Sequence, residues 1–158
     1  MDLIRRASIL LTGLVVAVIG ACALVHVVAM LFAYGVMLVQ GEAMAIHPGI
    51  LAGALWVGAM QGASVLPVAV PLGALLHFAL MRTGRTGLLP YLGAALVVAA
   101  ASTVYLGIFN GFAFNLAFAT MAVASAALGG CMFWLSRRPD RDARAFSTHM
   151  PAAADQAP

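Results

Sequence analysis

The chain has 158 residues, of which 64% are hydrophobic and 8% charged, with a net charge of +3. So much apolar side chain excludes an ordinary soluble domain and calls for lipid as the solvent. The basic balance does not indicate nucleic acid, because the arginines stand at the ends of apolar runs, where they act as topology signals and lipid-headgroup partners.

Four apolar blocks follow one another: Ala7 to Gln40, Gly49 to Met81, Leu88 to Ile108 and Leu116 to Leu135. They predict an all-α membrane protein with four transmembrane helices over residues 1–136, followed by a cytoplasmic tail, 137–158. The arginines are Arg5, Arg6, Arg82, Arg85, Arg137, Arg138, Arg141 and Arg144, while the links 41–48 and 109–115 contain neither Lys nor Arg. Short-loop positive charge marks the cytoplasmic side, so both termini are expected inside. The absence of Lys beside abundant Ala, Gly and Arg fits a GC-rich bacterial genome, hence a bacterial inner membrane.

The first block opens like a signal peptide, and Ile19-Gly20-Ala21-Cys22 is a passable lipoprotein cleavage box. Cleavage at Cys22 would leave an apolar run, Ala23 to Gln40, in place of a polar tether, so the block is expected to stay as a span. As one helix it would be about 50 Å long, beyond what a bilayer needs. With Arg5, Arg6 and Arg82 holding the inner ends, Phe32 to Gln40 and Ile50 to Gln61 are expected to form a helical hairpin or interfacial elbow beyond the outer face. Glu42, His47 and Pro48 would mark its tip, with Trp56 as an interfacial anchor.

Cys22, His26 and Met30 recur at every fourth position and share one helix face. They are soft-metal ligand types, and with Met37, Met44, His47 and Met60 on the same outer side they offer a periplasm-side copper reading. Plain packing competes with it, since Met is a common apolar filler and Cys packs as a small hydrophobe. A haem held between His26 and His77 is opposed by depth, about 30 Å from Arg6 against about 7.5 Å from Arg82. Each histidine is expected to be hydrogen-bonded at a helix interface or in the headgroup zone. Cys22 and Cys131 should differ by about 15 Å in depth, too far for a disulfide.

Pro67 and Pro71 interrupt the second block and free the carbonyls of Ala63 and Pro67, which predicts a kink with Gln61 and Ser64 near enough to partner freed groups. The same four residues could instead form a hinge or a polar contact for a passing solute. Ala54, Gly58 and Gly62 on this block, and Ala122, Ala126 and Gly130 on the fourth, are spaced for close helix approach, within the bundle first and between copies second.

The third and fourth blocks should be antiparallel neighbours, because the link Phe109 to Asn115 is short. Tyr105, Phe109, Phe112, Phe114 and Phe118 form an expected outer aromatic belt, matched inside by Phe133 and Trp134. Ala143 to Pro158 has the composition of a disordered tail.

Catalytic chemistry finds little to work with. Between Asp2 and Asp140 the only acid is Glu42, and Ser64, Ser102, Thr103, Thr120 and Ser125 lack an acid or base matched to their depth. The residues therefore point away from an enzyme.

The stretch Ala124-Ser125-Ala126-Ala127-Leu128-Gly129-Gly130-Cys131-Met132-Phe133-Trp134-Leu135-Ser136-Arg137-Arg138 resembles the ending of small four-helix inner-membrane proteins of alphaproteobacteria. Their last helix reads small-Gly-Gly, two apolar residues, aromatic-Trp and a basic stop. The second block, with prolines at mid-membrane and basic residues before Leu88, is similar in layout. The resemblance implies fold and location and brings no activity, cofactor or catalytic residue with it.

Three functions remain as expectations. The first is a non-enzymatic accessory or assembly subunit, or a small homo-oligomer, acting through helix contacts. Its partners would be the lipid bilayer and another membrane protein or itself, with no nucleic acid and no cofactor. The second is a component of a small-solute transporter or pore, formed only as an oligomer and lined by Gln61, Ser64, Pro67 and Pro71. Copper binding at Cys22, His26 and Met30 is the third.

Overall fold

A computed structural model describes residues 2–41, 47–111 and 115–137. Among these residues the chain is all-helical, with α1 over Asp2–Val39, α2 over Pro48–Arg82, α3 over Leu88–Asn110 and α4 over Leu116–Arg137. All four are long and apolar enough to cross a membrane, so this is a multi-pass membrane protein. The tail 138–158, the hairpin tip at Glu42 and Met44, and Phe112 and Phe114 lie outside the described residues.

Local chemistry sets the helix ends. Gly41, Gly84 and Gly111 each take a positive φ after a helix, the left-handed geometry that lacks a Cβ penalty only for glycine. His47 caps α2, its Nδ1 accepting from the Gly49 N–H at 3.1 Å, and Pro48 occupies the first helical position, where no donor is lost. Asn115 does the same for α4 by accepting from the Phe118 N–H at 2.8 Å.

Consecutive helices are neighbours and α4 returns against α1, which closes a four-membered ring. The α1–α2 seam is the tightest. A Cβ on Gly58 would meet the Cys22 carbonyl oxygen at 2.6 Å and the Ala23 Cα at 2.7 Å, and one on Gly62 would meet the Ile19 Cα at 2.8 Å. Ala54, Gly58 and Gly62 are all buried, and α1 covers the two glycines. On α4, Gly129 packs against α1 at Ala17 and Ala21, and Gly130 against α3 at Ala95 and Tyr91.

Many large residues face outward, and alanines share the interior with a cluster of Leu10, Leu14, Tyr91 and Phe133. Val16, Leu24, Val28, Leu75, Val97, Val104 and Ile108 are exposed, whereas Ala17, Ala21 and Ala69 are buried. In lipid, helix association is driven by close packing and not by hiding apolar area, so this inversion is the stable arrangement.

Of the two forms expected for the excess length, a helical hairpin or an interfacial elbow, the helices agree with the first: α1 and α2 each run as one helix, and the excess appears as an overhang past α3 and α4. Two expectations change. Ser64 does not partner a carbonyl freed by proline. Its hydroxyl donates to Gln61 O at 2.8 Å, one turn back along the helix. Phe133 is not a belt residue at the interface but a core residue with 5% exposure, packed with Leu10, Leu14, Ala17 and Tyr91. Gly13 on α1 leaves room for its ring, which would lie 3.7 Å from a Cβ at that position. Trp134, its neighbour, donates from Nε1 to Thr86 O at 2.9 Å and ties α4 to the α2–α3 link.

Candidate functional site: a cavity with polar groups at two depths

A cavity of about 130 Å³ runs along the interior of the bundle and touches all four helices. On α2 its wall is one row at every fourth position, Gln61, Val65, Ala69, Gly73 and His77, so the face that meets the cavity is set by helical periodicity. Ala94, Ala95, Val98 and Ala99 of α3 and Ala122, Ala126 and Gly129 of α4 give an apolar wall of small residues.

Polar groups gather at two levels. At the end of the bundle that carries Arg82 and Arg137, called here the arginine end, His77 Nδ1 and the Tyr91 hydroxyl are 2.8 Å apart and buried. Phe133 meets the His77 ring edge-on at 5.4 Å and the Tyr91 ring at 6.2 Å, which holds both rings in place. The bond consumes one imidazole nitrogen, and no hydrogen bond uses Nε2 among the described residues. Arg137, one turn beyond Phe133 on α4, has a buried Nε with no hydrogen-bond partner among the described residues.

The second level lies farther from the arginine end. Gly62 packs on Ile19 and Cys22, so Gln61 and Cys22 share a depth. From the Gly130–Ala95 contact, five residues along α4 reach Ser125 and seven along α3 reach Ser102, depths within about 3 Å of each other. Cys22, Gln61, Ser102, Thr103 and Ser125 all line the cavity, so α2, α3 and α4 each supply a polar side chain to this layer and α1 a thiol. Thr103 donates to Ala99 O at 2.8 Å, as membrane hydroxyls commonly do. Ser102 differs: its Oγ is buried and has no hydrogen-bond partner among the described residues, a state that costs about 1–3 kcal/mol. The two levels are about 16 Å apart, from the eleven residues between Tyr91 and Ser102.

The residues singled out in the sequence divide between faces. Gln61, Ala122, Ala126 and Gly130 line the cavity. Ser64, Pro67 and Pro71 are exposed on the outside of α2. Cys22 lines the cavity, while His26 and Met30 line a separate groove with Ile50, Ala54 and Met121. The His26 Nδ1–H donates to Cys22 O at 2.8 Å. No cluster of three metal-ligating His, Cys, Asp or Glu residues occurs among the described residues, and Cys22 and Cys131 are free thiols.

The sequence reading named His77 without its partner and set Ser102, Thr103 and Ser125 aside for want of an acid or base. It passed over Tyr91. The signal that would have found them is the row from Gln61 to His77 matched against Tyr91, Ala95 and Ser102 on α3. The chain matches no known protein family, no curated protein and no solved structure.

Proposed function

We propose that this chain is a bacterial inner-membrane protein with both termini in the cytoplasm, and that it takes a small, largely apolar solute into its bundle as a carrier or binding component. One observation carries this reading: polar side chains from α2, α3 and α4 and the Cys22 thiol of α1 converge on one cavity in a chain otherwise poor in buried polar groups. Polar groups inside a membrane are costly, face the interior and mark solute paths. A cavity of this volume is close to that of an engineered cavity of about 150 Å³ that binds benzene. The hydroxyls and amide supply orientation and the Ala, Gly and Val wall supplies contact, the usual division of labour in a ligand site.

A second reading, an accessory subunit acting through helix contacts, is favoured by the overhang of α1 and α2, where Phe32, Val39, Trp56 and Val57 are exposed. The small-residue faces do not support it in the same way, since Gly58, Gly62, Gly129 and Gly130 are covered within the chain.

One preparation separates the two. The chain purified in mild detergent is reconstituted alone, and uptake of small labelled alcohols, acids and amines is followed. Saturable uptake of one class, abolished by Ala126→Leu, is the expected result. Co-purification of one defined protein with no uptake of any class would replace the carrier reading by the accessory one.

A further inference from the structure

We propose that the Ser102 level of the cavity is the head site of the solute, and that the solute is a small uncharged aliphatic alcohol. The inference rests on the cavity being a solute site and adds the chemical class of the solute.

The head is argued from the groups that face the cavity. Ser102 is 6% exposed, it lines the cavity, and its Oγ has no hydrogen-bond partner among the described residues. Such a hydroxyl is costly in an apolar interior until a ligand supplies its partner. Close contacts fix its neighbours at this depth: Gly62 meets Ile19 and Cys22, and Gly129 meets Ala17 and Ala21. Gln61 is one residue from Gly62 and Ser125 is one turn from Gly129, so both stand within about 3 Å of the Cys22 depth. Gln61 brings an amide that donates and accepts. Thr103 gives its proton to Ala99 O and so offers only a lone pair. A head that both donates and accepts satisfies this set, and a hydroxyl is the smallest such group.

The same wall excludes a charged head. Among the described residues no Asp, Glu, Lys or Arg lines the cavity, and His77 is hydrogen-bonded to Tyr91 at the other level, about 16 Å away. A carboxylate or an ammonium would lose its hydration here without gaining a counter-charge.

The tail is argued from shape. From Ser102 toward the arginine end the wall includes Val65, Ala69, Ala95, Val98 and Ala126, all apolar. The volume of about 130 Å³ is slightly below that of the engineered cavity of about 150 Å³ that holds benzene, which sets the solute at about six non-hydrogen atoms. 1-Pentanol has that size.

The test uses the full chain in phosphatidylcholine nanodiscs, with carbon-14 1-pentanol, benzene, pentanoate and pentylamine as probes in equilibrium dialysis against empty discs. Pentanol is expected to bind saturably above empty discs and more tightly than the other three. Ser102→Ala, which removes only the unsatisfied hydroxyl, should weaken pentanol about three- to ten-fold and leave benzene unchanged. Gln61→Leu should also weaken pentanol and provides the same test if the Ser102→Ala protein does not fold. Tighter binding of pentanoate or pentylamine than of pentanol would overturn the alcohol site and leave the solute cavity standing. So would pentanol binding that neither Ser102→Ala nor Gln61→Leu changes. Binding of no probe above empty discs would overturn both.

Discussion

Gly58 shows how little room single positions have in this bundle, because its missing Cβ is replaced by the Cys22 carbonyl oxygen and the Ala23 Cα of the facing helix. Gly53, one turn away on the same helix, has nothing within 4 Å of its Cβ position. Gly58→Ala should therefore destabilise the purified protein by about 1–3 kcal/mol, as overpacked sites do. Gly53→Ala should be neutral or slightly stabilising through helix propensity. Thermal unfolding of both variants in one detergent checks this, and equal behaviour would mean that the α1–α2 seam is looser than described. The spacing of Ala54, Gly58 and Gly62 was visible in the sequence, and so was a close helix approach. Which helix does the approaching was not, since the same spacing serves a neighbour in the chain or in a second copy.

At the scale of elements, α2 holds two prolines in a helix that nonetheless runs from Pro48 to Arg82. Pro67 and Pro71 are exposed on its outside, away from the cavity row, so their rings do not line the solute path. Pro67→Ala restores a donor for the Ala63 carbonyl, and Pro71→Ala restores one for that of residue 67. Each should stabilise α2 by up to about 3 kcal/mol, the usual cost of an internal proline, with solute binding retained. Thermal unfolding together with 1-pentanol binding reads this out. Lost binding in either variant would show that the proline geometry shapes the cavity. Helix extents were legible because length and hydropathy decide them, and the observed ends fall within a few residues of the apolar blocks. The cavity row was harder to read. α2 is apolar nearly all round, so no polar stripe marks the outward face, as it would in a soluble protein.

For the whole molecule, the two pairs of helices differ in reach. The spans in α1 and α2 are 33 and 35 residues long against 22 each in α3 and α4. At 1.5 Å per residue the first pair is longer by about 17 Å, and tilt absorbs only part of that. The proposed orientation puts the overhang on the outer side and the His77–Tyr91 pair near the cytoplasm. With Cys22 and Cys131 replaced by alanine, a cysteine at Gln40 should react with a membrane-impermeant maleimide on intact cells. One at Thr83 should react only after the inner face is opened, and the reverse pattern would invert the orientation.

The amino-acid sequence by itself determined membrane insertion, the number of helices and their lengths, because these depend on one-dimensional quantities: apolar run length, turn-forming glycines and the placement of arginines. It also supplied the small-residue faces. The tertiary structure alone decided that His77 meets Tyr91, that Phe133 is core, and that Gln61, Ser102 and Ser125 look into one space. Those outcomes depend on the rotation and register of four helices. In a lipid environment rotation and register are set by interlocking of small residues across helices, which no single helix encodes.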